Sequence, residues 1–187
     1  MEKIDRRVIR TRKLLQKALL KLILERGYES IRVQDITDVA NLGRATFYVH
    51  YQDKEALLLA TLESTSSELL EYIEKDSTAG GLPGFRALFH HAQDNPTFYK
   101  VVLNHVGGRQ KITKAMTDTV KTEIPDRLEF GEIPSEFVAN YIVGAVLQLL
   151  DWWLSTDMQY SIEKMETNLQ AMLIQGISIS DLTTNKT

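Results

Sequence analysis

The sequence predicts an all-α protein of about nine helices, with a three-helix domain over residues 1–53 and a helical remainder over residues 54–187. Three observations lead there. Apolar residues recur at helical spacing along most of the chain, and no segment shows the strict alternation of a half-buried strand. Gly, Pro and Asn punctuate the periodic runs. Residues 43–51, GRATFYVHY, form a short helical segment that comes after a two-turn run and a three-residue turn, the arrangement of a helix-turn-helix.

Taken in order, Val8 to Arg26 is the first helix: Leu15, Leu19, Leu22 and Ile23 share a face, and Gly27 stands where a C-cap falls. Val33 to Ala40 is the second, with Val33, Ile36, Val39 and Ala40 read as its inner face. Its N-cap position holds Arg32, so the cap is either a shifted Ser30 or absent. Asn41-Leu42-Gly43 makes the turn, because Asn tolerates a left-handed backbone and Gly can cap the third helix. Asp53 caps a fourth helix that runs through Leu57, Leu58, Leu62, Leu69 and Ile73. DSTAGGLPG, residues 76–84, is a loop. Helices are then expected at Phe85–Gln93, from Pro96 onward, and from Arg109 to Ile124 between Gly107-Gly108 and Pro125. Two more close the chain, Pro134–Ser155 and Ser161–Gln175, the latter striped by Ile162, Met165, Leu169, Met172 and Leu173. The tail DLTTNKT is expected to fray.

On the third helix, 100° per residue puts Phe47 and Tyr51 in one inward sector and sends Ala45 and Val49 the opposite way. Tyr48 borders the outward face on one side, Thr46 and His50 on the other, and Arg44 stands at the helix start. Polar groups that surround an outward surface, rather than converge on a pocket, suit entry into a major groove. Arg44 can fork onto guanine O6 and N7, Ala45 or Val49 can touch a thymine methyl, and Thr46, Tyr48 and His50 can donate to phosphates. Lys54, Gln34 and Arg32 are candidates for further phosphate contacts. Half-buried packing is the plainer reading of a Tyr or His taken singly; their joint placement favours contact with DNA.

Charge supports the same reading. The net charge of −3 conceals a division: residues 1–55 hold 12 Lys and Arg against 8 Asp and Glu, and residues 56–187 hold 10 against 17. A basic first third is the footprint of a module that meets a polyanion, although a solvated helix face would look alike. With no cysteine there is neither a disulfide nor a Cys-based zinc site, and the charged N-terminus lacks the apolar core of a signal peptide, so a cytoplasmic location is expected. No catalytic residues, metal site or cofactor are expected, since no nucleophile, phosphate loop or ligand spacing carries a local signature. The apolar run Phe137–Leu154 carries Asn140, Gln148 and Asp151 and reads as a buried helix rather than a membrane span.

Within residues 7–62, VQDITDVANLGRATFYVHYQDKEALL resembles the DNA-binding domain of the TetR family of bacterial transcriptional regulators. The likeness rests on Gly27-Tyr28, on Ile36 and Ala40, on Thr-Phe-Tyr-x-His-Tyr and on Asp-Lys-Glu-x-Leu. The opening DRRVIRTRKLLQKALLKLI is similar to the branch that includes dihydroxyacetone-kinase regulators. The resemblance implies backbone contacts from Thr46, Tyr48, His50 and Lys54 and base-edge positions for Arg44, Ala45 and Val49. It further implies that residues 54–187 form a dimerisation and effector-binding domain, and that the protein is a homodimeric repressor that binds a pseudo-palindromic operator in double-stranded DNA and is released by a small-molecule or protein effector.

YIVGAVLQLLDWWLS, residues 141–155, resembles half of the four-helix bundle through which subunits of that family pair. The helix is apolar nearly all round, Gly144 and Ala145 would allow close approach, and Trp152 and Trp153 are large anchors. Interface candidates are Tyr141, Ala145, Leu149, Trp152, Leu169 and Met172. Candidate walls of an effector pocket are Phe85, Phe89, His90, Phe98, Tyr99 and His105, residues that a plain core would also use. The competing expectations are a helical adaptor that has lost DNA affinity, and an architectural DNA-binding protein without an inducer.

Overall fold

In the computed structural model, which describes residues 6–76, 84–104, 106–123 and 133–175, the first periodic run folds as α1 (Arg6–Arg26). Leu15, Leu19, Leu22 and Ile23 are buried, as their spacing predicts. Gly27 ends the helix with φ 77° and ψ 151°, a region that only glycine enters without strain, and its N–H donates to the Ile23 carbonyl at 2.9 Å. One 310 turn, Tyr28–Ser30, leads to α2 (Val33–Ala40).

Arg32 occupies the N-cap of α2, and its guanidinium, which has no acceptor, caps nothing. Ser30 does not replace it: its hydroxyl donates to the carbonyls of Arg26 and Gly27 at 2.9 and 3.0 Å. Asp35 supplies the other half of a capping box, accepting the Arg32 N–H at 2.8 Å, and lies 3.0 Å from Arg26 Nη2. The backbone hydrogen bond, with the Arg26 bond second to it, holds the Asp35 carboxyl below the usual carboxylate range.

The inner face of α2 needs correction at one position. Val39 is 43% exposed while Thr37 is fully buried, because Ile36, Ala40, Val33 and Thr37 form one sector and Val39 lies about 110° from its centre. Thr37 is accommodated by donating its hydroxyl to the Gln34 carbonyl at 2.9 Å. The same device operates in α4 (Lys54–Asp76), where Leu57 is buried but Ile73 is exposed. Thr61 and Thr65 are the buried positions there, donating to the carbonyls of Leu57 and Thr61 at 2.7 and 2.8 Å.

Between them lies α3 (Arg44–His50), and α5 (Phe85–Asp94), α6 (Pro96–Asn104), α7 (Val106–Glu123), α8 (Ser135–Ser155) and α9 (Ile162–Gln175) complete the order. The described residues thus hold nine α-helices and no strand. Most of the expected loop at 76–84, Pro125 and the tail at 181–187 lie outside them. The chain divides into two compact units, residues 1–68 with 95–114 and residues 69–94 with 115–187. In the first, α1 packs on α2 and α6, and α2 on α3; in the second, α5 packs on α9.

Gly107 and Gly108 do not precede α7, as expected, but lie within its first turn. The reason at Gly108 is space: a Cβ there would stand 2.6 Å from the Val102 carbonyl oxygen and 3.2 Å from its Cα. Gly108→Ala is therefore expected to destabilise the fold by about 1–2 kcal/mol despite alanine's better helix propensity. Urea unfolding would show it, and an equal or higher midpoint would mean that α6 and α7 separate at no cost.

Candidate nucleic-acid interface

The turn before α3 is built by backbone geometry. Asn41 adopts the left-handed conformation (φ 54°, ψ 48°) that stops α2; its N–H donates to the Asp38 carbonyl at 3.1 Å, and the Leu42 N–H to the Thr37 carbonyl at 2.9 Å. Gly43, extended, restarts the chain, its carbonyl accepting from the N–H groups of Thr46 at 2.9 Å and Phe47 at 3.3 Å. Phe47 is fully buried and Tyr51 nearly so, their ring centres 6.0 Å apart. Burial pushes the Tyr51 phenol up, and the nearby Arg12 charge partly counters it.

With that face pinned, the opposite one is bare. Val49 is 78% exposed and Tyr48 51%, Arg44 and Ala45 are exposed, and Thr46 and His50 are half-buried. A branched apolar side chain held out in water by a fully packed helix has no use to the core. The Arg44 guanidinium makes only loose contact with Tyr48, Nη2 lying 3.5 Å from the phenol oxygen and the guanidinium carbon 6.0 Å from the ring centre. Its donors remain available for a base edge.

Two expected phosphate contacts are otherwise engaged. Gln34 is exposed, but its amide nitrogen donates to Asp38 Oδ1 at 2.6 Å. Lys54 differs more. Asp53 caps α4 by accepting the Ala56 N–H at 2.8 Å, and from the first helical position the Lys54 ammonium turns back to three carbonyls. It donates to Tyr28 at 3.0 Å, Ile31 at 3.1 Å and Glu29 at 3.4 Å, and lies 4.3 Å from the Tyr28 ring centre. An ammonium has three protons, and all are used. Lys54→Met is accordingly expected to cost about 1–2 kcal/mol of stability. A denaturation midpoint equal to that of the parent protein would return Lys54 to the role of a free phosphate ligand. Burial is the first cause of the raised Tyr28 phenol, with the carboxylates of Glu55, Asp53 and Glu29 after it.

The pocket candidates are divided between the two units. Phe85 and Phe89 stack in the core of one unit with ring centres 4.3 Å apart, and Phe89 meets Trp153 at 5.2 Å. Phe98 and Tyr99 belong to the core of the other, edge to face at 5.4 Å, with burial holding the Tyr99 phenol far above its ordinary range. His105 lies outside the described residues. His90 is exposed on a cleft of about 280 Å³ lined by Arg86, Gln93, Ser161, Ile162 and Glu163. Its neighbour His91, to which no sequence signal points, is the buried one of the pair, against the Tyr72 ring at 5.3 Å.

Of the interface candidates, Tyr141 (59%), Trp152 (41%) and Met172 (42%) are exposed, and Ala145 and Leu149 are half-buried. Leu169 is corrected: at 2% exposure it belongs to the core of the chain itself. So does Trp153, fully buried with its indole N–H donating to the Tyr160 carbonyl at 2.8 Å. Helix α8 is long and apolar enough to cross a membrane. Its inner face, including Ala139, Val143, Leu147 and Leu150, is buried in the protein, while Phe137 (67%) extends the exposed apolar row.

Comparison with known proteins gives consistent matches along the chain. The family model described as bacterial regulatory proteins, tetR family, matches residues 15–61, and one described as transcriptional regulator C-terminal region matches residues 82–175. The uncharacterized HTH-type transcriptional regulator YxbF of Bacillus subtilis is 44% identical over 73 residues, 38% of this chain and only 19% of that protein. The HTH-type regulator YvkB of the same organism is 24% identical over 193 aligned positions, which cover 90% of this chain and 97% of YvkB. Among solved structures, the fatty acid degradation regulator FadR from Bacillus halodurans superposes with a TM-score of 0.68 at 15% identity, over 90% of this chain and 96% of that one. At that identity the likeness is one of fold.

Proposed function

This chain belongs to the tetR family of bacterial regulatory proteins, DNA-binding transcriptional regulators rather than enzymes, and we propose that it acts in the cytoplasm as a homodimeric repressor of a pseudo-palindromic operator. Residues 1–53 read the DNA, and residues 54–187 serve dimerisation and effector binding. The observation that carries the proposal is the outward face of α3, where Arg44, Ala45 and Val49 stand clear while Phe47 and Tyr51 fix the helix from behind. The exposed row Phe137, Tyr141 and Trp152 on α8 supports pairing of two copies. A two-fold dimer would set two recognition helices roughly 34–36 Å apart, one turn of B-DNA. A small-molecule or protein effector that favours another spacing would release the operator in proportion to its differential affinity for the two states.

Footprinting on the DNA beside the protein's own gene tests this. Protection of a pseudo-palindrome is the expected result, and absence of protection even at low salt overturns it. With that operator, Arg44→Ala is expected to lose about 1–3 kcal/mol of discrimination at one base pair per half-site, while binding to random DNA changes much less. Equal losses on both duplexes, measured by titration, would remove Arg44 from base reading.

A further inference from the structure

The recognition helix accounts for little of the positive charge in the N-terminal third. Most of it is on α1, and there it is ordered. Arg6, Arg10, Lys13, Lys17 and Lys21 are all exposed, spaced by four, three, four and four residues. At 100° and 1.5 Å per residue they fall within a sector about 80° wide and a length of about 22 Å, on the side away from Leu15, Leu19 and Leu22. Of the five, among the described residues, only Lys21 forms an ion pair, with Glu25 at 3.8 Å.

This order is unfavourable to the isolated helix. Like charges three and four residues apart repel, and the first turn of α1 holds Arg6 and Arg7 with no acidic residue, against the helix dipole. A stripe that works against its own helix is explained if something negative covers it. The partner chemistry is narrowed by what the stripe lacks. No aromatic anchor lies on it, as a protein interface would favour. The exposed apolar residues of α1, Ile9, Leu14 and Leu24, lie five and ten residues apart and are too few to make the continuous apolar face that a membrane-surface helix inserts. What remains is a long, regularly spaced polyanion. The stripe belongs to the same unit as the DNA-reading helix: α1 packs on α2 through its apolar face, which leaves the opposite, basic face open.

We infer that this face of α1 is a second phosphate-binding surface of the DNA-reading unit, which takes the phosphate backbone of duplex DNA. The inference rests on the DNA-binding reading above and adds a contact that carries affinity without sequence information.

The test uses the full chain and a random-sequence duplex of about 30 base pairs, with the association constant measured across a range of KCl concentrations. Each phosphate contact contributes about 0.9 to the slope of log K against log salt. The triple variant Arg10→Gln, Lys13→Gln, Lys17→Gln is expected to lower that slope by about 2–3. Its melting temperature should equal or exceed the parent's, since repulsion is relieved. A control that removes equal charge from the same unit away from the stripe, Lys100→Gln, Lys111→Gln, Lys114→Gln, should leave the slope within about 0.5 of the parent. An unchanged slope in the stripe variant overturns the inference alone, and an equal fall in both variants overturns it in favour of a diffuse field. Failure of the parent chain to bind any duplex overturns the DNA-binding reading as well. A stripe variant with the parental slope that no longer binds phosphatidylserine vesicles would assign the surface to a membrane instead.

Discussion

Phe47→Ala is expected to lower the stability of the DNA-reading unit by about 3–5 kcal/mol, the range for deleting a buried aromatic ring, and to abolish operator binding with it. Phe47 is fully buried and touches Tyr48 edge to face at 5.4 Å and Tyr51 at 6.0 Å. Its ring sets the rotation of α3, so the loss acts on function through geometry as well as through unfolding. The companion change is Val49→Ala. Val49 is 78% exposed, so its truncation should shift stability by less than about 0.5 kcal/mol while weakening contact with the groove. Urea denaturation and DNA titration on both variants separate the two faces. Comparable stability losses in the two would mean that Val49 is covered in the native protein, and the assignment of inner and outer face would be wrong.

Arg86→Ala is expected to cost about 3 kcal/mol, the low end for breaking a buried ion pair. Glu166, on α9, is nearly buried at 6% exposure and accepts the Arg86 Nε–H from α5. Removing the guanidinium strands a carboxylate where water reaches it poorly. The value is at the low end because Arg86 keeps about a third of its side chain in solvent. The double variant Arg86→Met, Glu166→Leu should recover most of the loss, since apolar replacement of a buried pair is often neutral. A double variant as unstable as Arg86→Ala would show that packing of the arginine stem between α5 and α9, rather than the stranded charge, is what the single change removes.

Periodicity makes the helices legible, and with them Leu15, Leu19, Ile36 and Phe47 as core. It fails where one residue type can satisfy two environments. Val39 and Thr37 exchange places because hydrophobicity is weighed ahead of angle, although Thr37 lies about 50° from the centre of the inner sector and Val39 about 110°, and the hydroxyl of Thr37 finds its acceptor one turn back. Thr61 and Thr65 escape notice for the same reason. Gly107-Gly108 reads as a stop in any single sequence, because nothing local announces that the Val102 carbonyl crowds the first turn of α7. The arrangement at Lys54 is illegible because its acceptors lie 23 to 26 residues away and are backbone atoms, which carry no signature of their own. Phe85, Phe89, Phe98 and Tyr99 suit either pocket or core, and composition cannot divide them between two units. The outward face of α3 is legible, since Phe47 within the helix and Tyr51 at its C-cap fix the inward side and leave Arg44, Ala45, Tyr48 and Val49 turned out.

The Lys54 arrangement bears on how chimeras of such regulators should be joined. A natural-looking junction falls between residues 53 and 54, after the third helix and before the long fourth. Cut there, the transplanted reading head keeps the carbonyls of Tyr28, Glu29 and Ile31 but takes whatever side chain the recipient offers at position 54. A recipient with a short residue there would leave the bend after α1 untethered, and a poor chimera would be blamed on mismatched signalling between its halves. Moving the seam past Leu57, which is buried in the same unit, carries clasp and ring across together.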